Sequence, residues 1–224
     1  AAASEDKAQQ VAAVNKMVAT QIKKAEKAWG EKSYRKARAV YAEVLELMGS
    51  NGLLGKPSAH AGLVMRRLGE IEVINGRAAK GLPLLERAEL AAPSSVEVHL
   101  KLADCHVALD DVQEAVSEIQ SALKCITGEG KKVSEQQKRI KLKLGTTLFR
   151  GGDRSAGGKI LTQILQEDMD DPLALKAYGE AALELGQVDD ALKIFLRLIV
   201  NQSEDEATRR FLARTLKAPR GLEQ

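Results

Sequence analysis

Few stretches of this chain carry residue types that could do chemistry. The segment GGDRSAGGKI, Gly151–Ile160, looks like a phosphate-binding loop in composition. Such a loop needs a glycine five residues before the one that precedes its lysine, and a Ser or Thr after that lysine. Those positions hold Asp153 and Ile160, and no strand leads into them. The segment reads instead as a turn, with Asp153 capping the helix that follows. His99, Cys105 and His106 lie close together, and seven residues separate the two histidines, so they could share a helix face. Two imidazoles are too few for a zinc site. Cys105 and Cys125 are the only cysteines and form no CxxC, so neither a zinc framework nor a disulfide scaffold is expected. Acidic residues are spread over helical faces, and no carboxylate pair stands apart for acid–base work. The chain is therefore expected to be no enzyme and to need no metal or cofactor.

The elements that would position these residues are helices. Aromatic residues are only 3% of the 224 and charged residues 29%. That composition, rich in Ala, Leu, Glu and Lys, favours helix over sandwich or barrel. Small residues recur at Gly69, Ala103, Gly145, Gly179 and Ala213, in steps of 34, 42, 34 and 34. Ala25 fits as an earlier member, one period plus ten before Gly69. Within a period, apolar residues keep helical spacing on both sides of a break, as at Asn75-Gly76, Asp110-Asp111 and Gly186. A 34-residue stride of helix, turn and helix signals stacked helix pairs. Ser94-x-x-Glu97, Ser134-x-x-Gln137 and Ser203-x-x-Glu206 read as capping boxes that open first helices. Gly157 and Gly158 both fall in the second helix of the fourth pair, which is expected to be the shortest or most mobile.

With the stride anchored as position 8, further positions align. Position 20 is Ala37, Gly81, Ala115, Gly157 and Ala191. Position 24 is Tyr41, Leu85, Ile119, Leu161 and Phe195. This register resembles the tetratricopeptide repeat family over about residues 18–216. The resemblance implies an all-α, right-handed solenoid of about five helix pairs plus a capping helix near 204–216. Residues 1–17 read as an N-terminal helical extension beginning near Glu5, and 217–224 as a tail. His99 and His106 then fall where the family packs bulky side chains.

The resemblance also implies a concave groove lined by first helices. In this chain it is lined by Arg66, Glu70, Val73, Glu97, Lys101, Asp104, Arg139, Lys143, Thr146, Arg150, Lys176 and Glu180. Its expected occupant is a peptide or helical segment of a protein partner, held by a non-enzymatic scaffold or adaptor. Some family members instead clamp the C-terminal carboxylate of heat-shock chaperones. Arg139 and Lys143 match that clamp in charge, whereas Glu70 would repel the ligand. RNA binding is a third reading, opposed by the scarce aromatics and a net charge of only +3. Trp29, near the inner face of its helix, suits packing or partner contact equally.

Two insertions break the stride, at 49–58 and 127–133. They are expected on one edge, as tolerant loops or as a second contact surface. Charge falls in blocks. Seven basic residues between Lys131 and Arg150 face only Glu135, and eight acids between Glu167 and Asp190 face only Lys176. A third block, Lys16–Arg38, carries eight basic residues against Glu26 and Glu31. These are solvated faces or steering surfaces for a partner of mixed charge. No apolar run approaches the roughly 20 residues of a membrane span. The opening AAASEDKAQQ lacks the pattern of a secretory leader. Two thiols fit a reducing compartment, so a cytoplasmic location is expected. Family members serve cell-cycle ligases, ciliary assemblies and import systems alike, so the resemblance leaves the assembly open.

Overall fold

Helical periodicity along nearly the whole chain becomes eleven helices in the computed structural model, which describes residues 2–54, 58–184, 186–200 and 206–217. They are α1 (Ala2–Gly30), α2 (Tyr34–Ser50), α3 (Ala59–Ile74), α4 (Ala78–Ala91), α5 (Val96–Ala108), α6 (Val112–Lys124), α7 (Lys131–Arg150), α8 (Arg154–Glu167), α9 (Pro172–Glu184), α10 (Val188–Val200) and α11 (Glu206–Lys217). No strand occurs among the described residues. The chain divides into two compact units, Ala1–Cys125 and Ile126–Gln224. The first holds the pairs α1–α2, α3–α4 and α5–α6. The second holds α7–α8, α9–α10 and α11. Within each unit the first helices lie side by side, α1 on α3 and α3 on α5, then α7 on α9 and α9 on α11.

The small residues are helix crossings. A Cβ added to Gly69 would come 2.6 Å from Leu85 Cγ and 3.0 Å from the Gly81 carbonyl oxygen. One added to Gly157 would come 2.6 Å from the Gly145 oxygen and 2.9 Å from the Phe149 nitrogen. Ala25 and Ala37, and Ala103 and Ala115, are fully buried at the corresponding places. Close backbones leave room for one large side chain per pair. Tyr41, Leu85, Ile119, Leu161 and Phe195 fill it, all at 0% exposure. Ala213 keeps the stride yet is exposed, because no helix crosses α11 there among the described residues.

Each pair also turns in the same way. Lys32, Gly76, Asp110, Gly152 and Gly186 occupy one register position, and all have φ between 56° and 91°. In four of the five turns the next backbone N–H reaches back five residues. These bonds are Ser33 to Ala28, Arg77 to Glu72, Asp111 to His106 and Gln187 to Ala182, each 2.8–2.9 Å. This is the left-handed helix stop that satisfies orphan carbonyls, and it holds whether or not the residue is glycine.

Several local expectations change. Ser95, not Ser94, caps α5, its hydroxyl accepting from the Val98 N–H at 3.4 Å. Ser134 lies inside α7, because that helix already starts at Lys131 after Gly130. Ser203 and residues 218–224 of the expected tail fall outside the described residues, while Lys217 ends α11. The insertion at 127–133 is partly helical, since its last three residues lengthen α7. The insertion at 49–58 gives its first two residues to α2, which runs to Ser50, and its residues 55–57 lie outside the described set. Helix α1 starts at Ala2 rather than near Glu5. Helix α8 is not the shortest: it has 14 residues, against 13 in α6 and α10. Gly157 costs it helix propensity but permits the crossing with α7.

Candidate functional site

The expected groove residues of the first unit lie on α3 and α5, and most of them are occupied with one another. Arg66 and Glu70 are buried, with only 7% and 9% exposure. Arg66 reaches Glu97 at 3.2 Å and Glu70 at 3.8 Å. Lys101 Nζ lies 2.7 Å from Glu70 and 3.5 Å from Asp104. Arg67, absent from the expected set, adds a contact of 3.2 Å to Glu70. The Glu70 carboxylate, expected to repel a ligand's carboxylate, is thus held by three cations that offset its charge. It is itself the carboxylate that these cations bind. Val73 is half-buried and packs on the core.

Arg67 extends this network into α1 and α2. Its Nε and Nη2 donate to the Glu26 carboxylate at 2.9 and 3.0 Å. The fully buried Tyr41 donates its hydroxyl hydrogen to the same group. Burial alone would raise the Glu26 pKa. The hydrogen bonds from Arg67 and Tyr41 outweigh it and lower the value overall. The Arg67 guanidinium stacks 4.3 Å above the centre of Trp29, which meets Tyr34 edge-on at 5.0 Å. Trp29 is a packing residue here.

In the second unit the expected residues lie on α7 and α9. Thr146, Arg150 and Glu180 line one shallow cleft of about 20 Å³, together with Phe149, Ala177 and Ala181. Arg139 and Arg150 are exposed, while Lys143, Lys176 and Glu180 are half-buried and engaged in polar or electrostatic interactions. Part of the basic block serves the fold. Lys138 pairs with Asp171, whose carboxylate also caps α9 by accepting from Ala174 N–H at 2.7 Å. Arg197 likewise binds Asp170 at 2.8 Å. The basic and acidic blocks therefore neutralise one another in part within this unit.

The histidines part company. His106 Nδ1 faces Asp111 in the turn at 3.4 Å. His99, 5% exposed, places Nδ1 2.8 Å from Glu118 and 3.8 Å from Glu89, and Nε2 3.0 Å from the Pro93 carbonyl. Glu89, His99 and Glu118 could offer three ligand atoms to a cation. Both ring nitrogens nevertheless face acceptors, an arrangement that a protonated imidazolium satisfies with no further ion. Burial lowers the His99 pKa, but the hydrogen bonds to Glu118 and Pro93 and the two carboxylate charges carry it upward overall. Cys105 is buried, its thiol donating to the Ala78 carbonyl at 3.3 Å, and burial raises its pKa, as expected of a packing thiol. Asp153 caps α8 by accepting from Ala156 N–H at 3.0 Å, so the glycine-rich segment is a turn and helix start. No helix among the described residues is long and apolar enough to cross a membrane.

Comparison with known proteins agrees with this architecture. The tetratricopeptide repeat profile matches residues 73–128 and 148–215. No curated protein sequence matches the chain. Among solved structures the chain is similar to YrrB, described as a repeat protein with an unusual peptide-binding site. The two share 17% identity and a TM-score of 0.59, over 88% of this chain and 90% of that one. It is similar to TTC0263, a thermophilic repeat protein of Thermus thermophilus, at 17% identity and a TM-score of 0.63, over 89% and 99% of the two chains. It is also similar to the Cut9–Hcn1 hetero-tetramer of the APC/C, at 16% identity and a TM-score of 0.64, over 88% of this chain and 36% of that one. These likenesses concern the fold. The profile match covers more than half of the sequence, on the same stride that sets the helix crossings, and the chain belongs to the tetratricopeptide repeat family.

Proposed function

We propose that the chain is a non-enzymatic scaffold that holds a peptide or helical segment of a protein partner against the exposed face of its first helices. The fold is that of a protein-interaction module. The observation favouring α7 and α9 as the holding face is the cleft that gathers Thr146, Arg150 and Glu180 between them, with Arg139 exposed on the same helix as Arg150. Both charge signs meet there, and Phe149 supplies an apolar wall. This suits a segment with an acidic side chain and an apolar neighbour. The first unit is a weaker candidate, because Arg66 and Lys101 already hold Glu70. The same pairing disfavours a chaperone-tail clamp in that unit. The insertions at 49–58 and 127–133, one in each unit, are further contact loops of this proposal.

The test is a quantitative pull-down with the wild-type chain beside the double variant Arg139→Glu/Lys143→Glu. A partner whose recovery falls at least several-fold with the reversal, at unchanged helicity, supports the α7–α9 face. Undiminished recovery of every partner places binding elsewhere.

A further inference from the structure

A second cleft in the Ile126–Gln224 unit lies between α7–α8 and α9–α10, on the side of the pair turns. It measures about 170 Å³ and is lined by Phe149, Arg154, Gly158, Tyr178, Ala181, Ala182 and Gln187. Two aromatic rings and two alanine methyls make its apolar walls. Three polar side chains also line it: Arg154 and Gln187, both exposed, and Tyr178, half-buried. None of the three has a hydrogen-bond or ion-pair partner among the described residues. This contrasts with the first unit, where Arg66, Arg67 and Lys101 all hold carboxylates.

Gly158 is the second clue. A helix-interior glycine is destabilising and normally has a packing reason. Gly157 has one, in its crossing with α7. A Cβ on Gly158 would meet no atom within 4 Å. What the missing side chain provides is open space beside this cleft.

We propose that the cleft is a pocket for the C-terminus of a partner peptide that ends in an aromatic residue. A cavity of about 150 Å³ takes a benzene ring, so the volume suits a phenyl side chain. The planar guanidinium of Arg154 is built to receive a carboxylate through two parallel hydrogen bonds. An α-carboxylate stands only two bonds from the Cβ that carries the ring, so one small pocket engages both. The site goes beyond the proposed first-helix face: it shares Phe149 and Ala181 with the shallow cleft but includes neither Arg139 nor Lys143.

The probes are N-acetylphenylalanine, its amide and N-acetylalanine, titrated into the full chain labelled at alanine and threonine methyls and followed by NMR. N-acetylphenylalanine is expected to shift the Ala182 methyl with a Kd on the order of 1 mM, as befits a ligand of its size. Thr146, which lines only the shallow cleft, stays in place. The amide binds at least about 10-fold more weakly, and N-acetylalanine gives no saturable shift. Arg154→Gln brings the acid down to the affinity of the amide. Gly158→Leu removes binding of both while helicity and thermal midpoint are kept. The proposal is overturned if the Ala182 methyl does not respond to the acid, if acid and amide bind equally, or if Gly158→Leu folds and still binds. A loss in the pull-down above leaves this result untouched, because the reversed residues lie outside the pocket.

Discussion

Adjacent glycines in α8 should answer the same substitution with opposite signs. Alanine at either position recovers helix propensity, about 0.8–1.0 kcal/mol per residue. At Gly158 nothing opposes that gain, since the added Cβ meets no atom within 4 Å. Gly158→Ala is therefore expected to stabilise the second unit by about 0.5–1 kcal/mol. At Gly157 the added carbon lies 2.6 Å from the Gly145 oxygen and 2.9 Å from the Phe149 nitrogen, both backbone atoms. No rotamer change relieves such a contact, so α7 and α8 must separate, and the packing of fully buried Leu161 loosens with them. Overpacking of this kind costs about 1–3 kcal/mol. The backbone nature of the clash places Gly157→Ala in the upper part of that range. After subtraction of the propensity gain, a net loss of about 1–2 kcal/mol remains. The two neighbours should thus differ by about 2–3 kcal/mol. Urea unfolding followed by circular dichroism measures the difference, together with hydrogen exchange at α7 and α8. Exchange is needed because repeat arrays need not unfold in one step. The single tryptophan, Trp29, belongs to the other unit and does not report on these sites. If both variants are stabilised alike, or the two agree within a few tenths of a kcal/mol, the crossing account of the small residues is wrong.

In the first unit, Glu70→Ala leaves Arg66, Arg67 and Lys101 without their shared carboxylate. Lys101 is partly exposed, so a cost of about 2–3 kcal/mol is expected, below that of a fully buried pair. Trp29 fluorescence in urea reads it, and a cost under about 0.5 kcal/mol would mean that the cluster is solvated. His99 makes stability depend on pH. Its folded pKa is raised above the ordinary value of 6.5, so its contribution is complete below about pH 6.5 and is lost as pH rises through the folded value. Glu118 and Glu89 face the ring from α6 and α4. His99→Gln, neutral at every pH, should remove the downward slope. An unaltered slope would assign it to another group.

The crossings were legible because they repeat. Position 8 and position 20 must be small where position 24 is large, and five copies of that rule outweigh any single exception. The capping serines were less legible, since a box motif tolerates a shift of one residue. Ser95 makes the bond that the motif assigned to Ser94, and at Ser134 the helix had already begun. The turns hid a regularity for a different reason: Lys32 and Asp110 are not glycines, and although Asp tolerates a left-handed backbone, nothing in the Lys32 side chain announces one. The side-by-side placement of the first helices α3 and α5 was legible, but the pairing of their charges was not. Polarity marks Arg66, Glu70 and Lys101 as surface residues, whereas Arg66 and Glu70 are buried and paired between α3 and α5, which only stacking reveals. Arg38 and Glu72, 34 residues apart and 2.7 Å from one another, show the same coupling between successive pairs. The turn-side cleft gave no signal because its lining comes from α7, α8, α9 and the turn before α10, which only packing brings together.

The common left-handed stop gives the chain a grain. In four of the five pairs its geometry depends on counting back five residues from the start of the second helix, so an extra residue inside such a pair would undo the lock that ends the first helix. The links from one pair to the next carry no such count. Both natural insertions fall in those links, after α2 and after α6, and none falls within a pair. A reporter domain, an affinity tag or a loop of new specificity should therefore be accepted near 52 or 128 and rejected near 76 or 110. Variation in length can accumulate in the links while the turns inside the pairs keep their count.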